Sequence, residues 1–119
     1  MLEQLRDRVT EYLSQNRNCV ITTNGCNGAW AASASYENSG LTLHCRLPRW
    51  SDVVFHIEQD PQVLVIIQGD TSLCWLQFRG TAKFADAPEA GYVTVRIIPQ
   101  RIDLFDENRG WGARETLDL

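Results

Sequence analysis

Apolar residues follow two periods along this chain, and each change of period marks an element boundary. Leu2, Leu5, Val9, Tyr12 and Leu13 share one helical face, with Glu3, Arg6, Asp7 and Arg8 on others, so residues 2–15 read as an amphipathic helix lying against a sheet. From Cys19 the period becomes two. Cys19-Val-Ile-Thr-Thr23 is a β-branched run, and Asn24-Gly-Cys-Asn-Gly28 supplies Asn/Gly turn signals, so the segment predicts a hairpin. Its second strand, Ala29 to Tyr36, puts Ala29, Ala31, Ser33 and Ser35 on one face and Trp30, Ala32, Ala34 and Tyr36 on the other. Small residues on such a face suit a crowded barrel interior, or the approach of a flat ligand to the backbone.

Glu37 to Gly40 reads as a turn and Leu41 to Cys45 as a third strand. An Arg-Leu-Pro-Arg turn follows, and then Trp50, Val53, Val54 and Ile57 recur at helical spacing. Ser51 is the expected N-cap of this short helix. Asp60 before Pro61 is its expected stop, because a residue preceding proline is pushed out of the helical region. Gln62 to Gln68 is almost continuously apolar and reads as a buried central strand. After a turn at Gly69-Asp70, alternation resumes from Leu73 to Ala85. Cys74, Leu76, Phe78, Gly80, Ala82 and Phe84 form the core set, and Gln77 and Arg79 face away. Asp86 to Gly91 interrupts the pattern. Tyr92 to Ile98 restores it as a long strand running past Pro99 to Phe105, where the proline predicts an edge or a bulge. The tail after Asp106 is polar, yet its Trp111 argues that it docks somewhere. The whole predicts one domain over residues 1–119, mainly β: a six-stranded antiparallel barrel with an N-terminal helix and a short helix after the third strand.

Composition narrows the classes. With 44% hydrophobic residues the 119-residue chain can bury a core. A net charge of −4 lacks the basic excess of a nucleic-acid surface. No stretch has the length of a membrane span or the apolar core of a signal peptide, so a cytoplasmic protein is expected. The four cysteines, Cys19, Cys26, Cys45 and Cys74, match no zinc spacing and read as small core residues; no metal site is expected.

Candidate chemistry collects at the third strand and the helix after it. A helix N-terminus beside Arg46 and Arg49 offers backbone N–H groups and two guanidinium forks to a phosphate, although arginines at a turn can equally be solvated there. All but one of the 11 basic residues are arginine, Lys83 being the exception, which suits planar bidentate contacts. No convincing acid/base pair stands out. His44 reads as a strand residue and His56 as a helix-surface residue.

These pieces, in this order, resemble the split-barrel flavoproteins related to pyridoxamine 5'-phosphate oxidase. The resemblance rests on the N-terminal helix, Val20-Ile-Thr-Thr23 with its Asn/Gly turn, the small-residue strand, and Leu41-Thr-Leu-His44 followed by Ser51 and Asp60-Pro-Gln-Val63. Phe78-Arg-Gly-Thr-Ala82, Pro99 to Leu104, and Gly110-Trp111 complete it. It covers nearly the whole chain and implies a homodimer with FMN in the crevice between subunits. Ser33 and Ser35 would then lie beside the flavin, and Arg46, Arg49, Trp50 and Ser51 around its phosphate. Gln77 would reach the ring or ribityl chain, and Trp111 would cover the site from one subunit or the other. One departure is evident: where the family places Lys or Arg two residues after the serine, this chain has Val53, so Arg46 and Arg49 would have to supply the cation. The resemblance implies an FMN-dependent oxidoreductase or flavin reductase whose substrate and electron donor the sequence does not name. The short tail lacks the Arg-x-His arrangement of pyridoxamine 5'-phosphate oxidation itself. A cofactor-free dimeric binding or regulatory module is the alternative, favoured by Asp52 and Val53; haem, with His44 as ligand, or a deazaflavin in the same crevice is a third.

Overall fold

The computed structural model describes residues 2–25, 28–69, 73–85 and 90–119. Helix α1 (Leu2–Gln15) leads into β1 (Asn18–Gly25), β2 (Gly28–Ser39) and β3 (Thr42–Pro48); α2 (Asp52–Gln59) follows. Then come β4 (Gln62–Gln68), β5 (Cys74–Phe84), β6 (Tyr92–Asp106), a single 3-10 turn (Glu107–Arg109) and β7 (Arg114–Asp118). The sheet order is β3-β2-β1-β4-β5-β6-β7, all neighbours antiparallel, and β3 also pairs with β6. That last pairing closes six strands into a barrel, as expected, and leaves β7 as a seventh strand on the outside of β6. The tail thus docks by backbone pairing, with Leu117 buried and Trp111 left in the turn that precedes it.

Period-two alternation decides what fills the barrel. Cys19, Ile21, Leu43, Cys45, Val65, Ile67, Leu76, Phe78, Val95, Ile97 and Ile102 all point inward and are buried. Each large apolar side chain removed from water this way contributes about 1.5–3 kcal/mol. Helix α1 lays Leu5, Val9 and Leu13 on this core. Its Tyr12 hydroxyl donates to the Cys74 carbonyl at 2.8 Å and accepts from the Gly69 N–H at 2.9 Å, pinning the helix to both strands of the β4–β5 hairpin. Tyr36 donates to the Leu13 carbonyl at 2.8 Å from inside the barrel, where burial pushes its phenol well above the ordinary range. The Cys19 and Cys45 sulfurs lie 3.9 Å apart in the core. Their mutual hydrogen bond, with burial, drives the Cys45 thiol far up, so it stays a protonated core residue.

Several boundaries differ from expectation, always because pairing extends a strand through residues with turn chemistry. Strand β2 continues through Glu37 to Ser39, which pair with His44 to Thr42, and the turn falls at Gly40 with φ +60°. Strand β3 likewise runs on through Arg46, Leu47 and Pro48, which pair with Thr94, Val93 and Tyr92, so the expected Arg-Leu-Pro-Arg turn shrinks to its last residues. Strand β4 is central, but one-sided: Val63, Val65 and Ile67 are buried while Leu64 and Ile66 are half-buried. Phe84, assigned to the core from its alternation, is exposed near the end of β5. The expected turn residues Cys26, Asn27, Asp70 and 86–89 lie outside the described residues.

Where β5 crosses β6 the register slips by one residue, between Arg79 and Gly80, opposite Pro99. Proline cannot donate to the ladder, and the bulge accommodates it as its position in the sequence suggested. Gly80 has no alternative there: an added Cβ would collide with the Ile98 carbonyl oxygen and sit 3.1 Å from the Ile97 Cγ2 atom. Gly80→Ala is therefore expected to lower stability by about 1–3 kcal/mol, the usual penalty of overpacking. Equilibrium urea unfolding checks it; a midpoint equal to that of the parent would show that the crossing is looser than described.

Candidate functional site

Alternation sends the residues that do not fill the barrel to its outer face, and cross-strand register aligns them in rows. One row reads Ser33, Val20, Ile66, Gln77, Asp103 and Thr116, from β2 through β1, β4, β5 and β6 to β7. The next begins Asn18, Ser35, Arg46 and Thr94. Together they frame a groove of about 590 Å³. Val20, 36% exposed, and half-buried Ile66 give it an apolar floor, Ser33 and Ser35 keep one wall low, and Arg46, Gln68 and Tyr92 stand at its rim. The Arg46 guanidinium carbon lies 4.2 Å from the centre of the Tyr92 ring, a cation–π contact between two residues that line the groove.

The residues expected around a phosphate do not converge. Arg49, Trp50 and Ser51 line a different cavity, of about 860 Å³, with Val54, Phe55, Glu58, Phe84 and Thr94. The extension of β3 is the reason: Arg46 obeys strand alternation and points out beside Ser35, whereas Arg49 sits beyond the strand end, its N–H donating to the Gly91 carbonyl at 3.0 Å. Ser51 is the N-cap as expected, its Oγ accepting from the Val54 N–H at 3.3 Å, which contributes on the order of 1 kcal/mol to the helix. Asp60 ends the helix, its N–H donating to the His56 carbonyl at 2.8 Å. Trp50 is 89% exposed and Trp111 96% exposed; within its own chain Trp111 covers neither cavity.

Gln77 points outward as expected and is half-buried. It borders the groove through its register partner Ile66 without lining it. Beside it, Asp103 is a buried carboxylate that alternation alone would leave in solvent; pairing with β7 encloses it. Its oxygens accept from Thr116 Oγ1 at 2.5 Å and meet Arg101 Nε at 3.3 Å, so it is fully engaged in holding β7 rather than poised as a base.

Two features escaped the sequence. Val20, Ile66 and Tyr92 form the groove floor and rim, and only their outward phase in the alternation marks them. His56, read as a helix-surface residue, instead packs on the tip of the β1–β2 hairpin. Its Nδ1 is 3.3 Å from the Oγ1 of buried Thr23, its ring is 5.6 Å from Trp30, and a Cβ at Gly25 would come within 2.7 Å of its Nε2. The imidazole fits because position 25 is glycine.

The Val53 departure also takes a different meaning. Val53 is 2% exposed and packs into the core from the first turn of α2. A residue at this position points away from both cavities, so the valine is a core residue of this barrel rather than an empty cation position.

The architecture thus defined, six antiparallel strands closed around one core with an N-terminal helix and a second helix between β3 and β4, is the split barrel. No protein-family model matches the sequence, and no curated protein does. Solved structures do. The chain is similar to general stress protein 26 from Bacillus anthracis, at a TM-score of 0.82 and 18% identity over 98% of this chain and 99% of that one. It is similar also to a protein related to general stress protein 26, of the pyridoxinephosphate oxidase family, from Clostridium acetobutylicum (TM-score 0.81, 12% identity, 98% and 96% of the two chains). A FAD-binding protein from Mesorhizobium loti matches at a TM-score of 0.64 and 14% identity, over 80% of this chain and 89% of that one. The fold is accordingly that of the pyridoxamine 5'-phosphate oxidase-like split barrels.

Restoring a cation at position 53 is expected to fail. Val53→Lys should destabilise the protein by about 3 kcal/mol or more, since it forces an unpaired charge into the core, and should leave flavin affinity no tighter. Thermal unfolding beside an FMN titration reads both; a stable variant with tighter FMN binding would return this position to the site.

Proposed function

We propose that this protein is an FMN-binding oxidoreductase of the flavin-reductase kind, with the cofactor in the outer-face groove and a second copy of the chain closing over it. The observation that carries the reading is the groove itself: an apolar floor at Val20 and Ile66, a low wall at Ser33 and Ser35, and a guanidinium held at the rim. Its volume falls within the few hundred to about 1,000 Å³ typical of small-molecule sites, and its mixture of apolar floor and few polar groups suits a flat ring carrying an anionic tail. When bound, FMN supplies hydride and electron transfer. The chain's own residues bind and orient. Val20 and Ile66 pack against one ring face, Ser33 and Ser35 let the ring approach the β2 backbone, and Arg46 meets the anionic end. Because Val20 remains partly exposed, a partner subunit covering it would keep water from the ring. That exposure is the physical reason for proposing a homodimer. A protein that binds at this groove without redox chemistry is the competing reading, and it shares the fold equally.

Purified protein is expected to be yellow, to release free flavin on denaturation, and to quench added FMN fluorescence after the flavin is stripped. Arg46→Ala should weaken FMN by about 1.5–3 kcal/mol, the range of a charge-assisted hydrogen bond, while sparing riboflavin, and Arg49→Ala should change neither. Colourless protein that fails to quench FMN would refute the reading.

A further inference from the structure

Strand β2 pairs with β1 along residues 28–35 but meets β3 only from Ser35 onward, so the side of residues 28–34 turned away from β1 has no strand against it. The phase of the backbone there is fixed close by: the Tyr36 N–H donates to the Arg17 carbonyl, on the β1 side, at 2.9 Å. Backbone groups of an antiparallel strand alternate sides, so those of Trp30, Ala32 and Ala34 also turn to β1, and those of Ala29, Ala31 and Ser33 turn to the open edge. Among the described residues no hydrogen bond reaches the N–H or carbonyl groups of these last three. Ala29, Ala31 and Ser33 are exposed, and the segment that carries them, Gly-Ala-Trp-Ala-Ala-Ser-Ala, has no charged residue and no proline. Strand β7 shows how this chain protects an edge elsewhere. It pairs only with β6, places Arg114, Glu115 and Asp118 within its five residues, and is reached by α1 through Arg8 and Glu115 at 2.8 Å. Charge and cover of that kind keep an edge from pairing with another chain; residues 28–34 carry no such charge, and their edge positions stay exposed.

We propose that a second copy of the chain joins at this edge, strand β2 against strand β2, so that the sheet continues from one barrel into the next. The free positions select that partner because they are symmetric about Ala31. A two-fold axis beside Ala31 sets Ala29 opposite Ser33 of the partner subunit and Ala31 opposite its own copy, and each free N–H then meets a free carbonyl. The same axis puts Trp30, which is 41% exposed, opposite the small Ala32 of the partner subunit, a large side chain against a small one. Because residues 28–34 are uncharged, the strand meets its own copy without repulsion. The contact rests on the homodimer proposed above and names where the copies meet. Ser33 also lines the outer-face groove, so the partner's strand extends the wall of that groove along its edge, whereas the flavin lies over the face of β2.

The test uses flavin-free protein, with sedimentation velocity over a dilution series and amide hydrogen exchange read by NMR. A dimer that dissociates on dilution is expected. The amides of Ala29, Ala31 and Ser33 should exchange slowly in the dimer and rapidly in the monomer, and those of Ala32 and Ala34, bonded to β1, slowly in both. Ala31→Pro removes an N–H that β1 does not use, so the barrel still folds, and the axis doubles the loss; the dimer dissociation constant should rise about tenfold or more. Ala31→Lys sets a charge against its own copy and should act in the same direction without constraining the backbone. A dimer whose Ala29, Ala31 and Ser33 amides exchange rapidly, or dissociation unchanged in both variants, would overturn the contact and move the second copy to another face. A monomer at every concentration would overturn it too and leave the edge to a strand of another protein. FMN quenching on the same samples keeps the two readings apart: flavin bound by protein without the protected amides sinks the contact alone, and protected amides in a dimer that binds no flavin sink the flavin reading alone.

Discussion

Strand β6 pairs with three partners, and the rest of the structure depends on that. Its first half pairs with β3 on one side and β5 on the other, closing the barrel, while its second half pairs with β5 and β7. One strand serves all three because it bends at Pro99, where the register slips and Gly80 lets the two backbones approach. Closure fixes the phase of every strand, since a one-residue slip would turn the buried set outward. The outward phase in turn sets Ser33 beside Val20, Ser35 beside Arg46, and Arg96 between Lys83 and His44. The grooves are thus consequences of register, and the side chains that line them need no special local conformation.

Much of this was legible in the sequence because it is written in period. The alternation from Cys74 to Ala82, the helical spacing of Trp50, Val53, Val54 and Ile57, and the cap and stop at Ser51 and Asp60 follow from local chemistry, and the barrel follows from their order. The outward placement of Gln77 was legible for the same reason, and so was the sharing of one face by Ser33 and Ser35, though not which way that face points. What was hidden depends on partners remote in sequence. Strand β3 extends through Arg46 and Pro48 because β6 is there to pair with it, which separates Arg46 from Arg49 and divides the expected phosphate site between two cavities. The tail from Arg114 to Asp118 has no strand signal of its own strength; it becomes β7 by pairing on the second half of β6. Asp103 is buried by that pairing alone, and His56 is enclosed by a hairpin tip more than 25 residues earlier in the chain.

Charge completes the picture. Asp103, Asp106 and Glu115, at the β6–β7 end, pair with Arg101, Arg109 and Arg8. Arg46 on β3 stands beside the apolar floor of the groove. An apolar surface next to a cationic one is the complement of a ligand that is flat and uncharged at one end and anionic at the other. The stable interior carries none of this chemistry: Cys45 and Tyr36 are held in their neutral, hydrogen-bonded forms.

The claim that joins these observations is that a flavin lies on the outer face over β1, β2 and β4. Amide chemical-shift mapping of isotopically labelled protein during an FMN titration tests it most directly. Shifts centred on Val20, Ser33, Ser35 and Ile66, with Phe55 and Glu58 unmoved, are the expected result. Shifts centred instead on Trp50, Phe55 and Phe84 would contradict the placement and move the cofactor to the cavity beside α2.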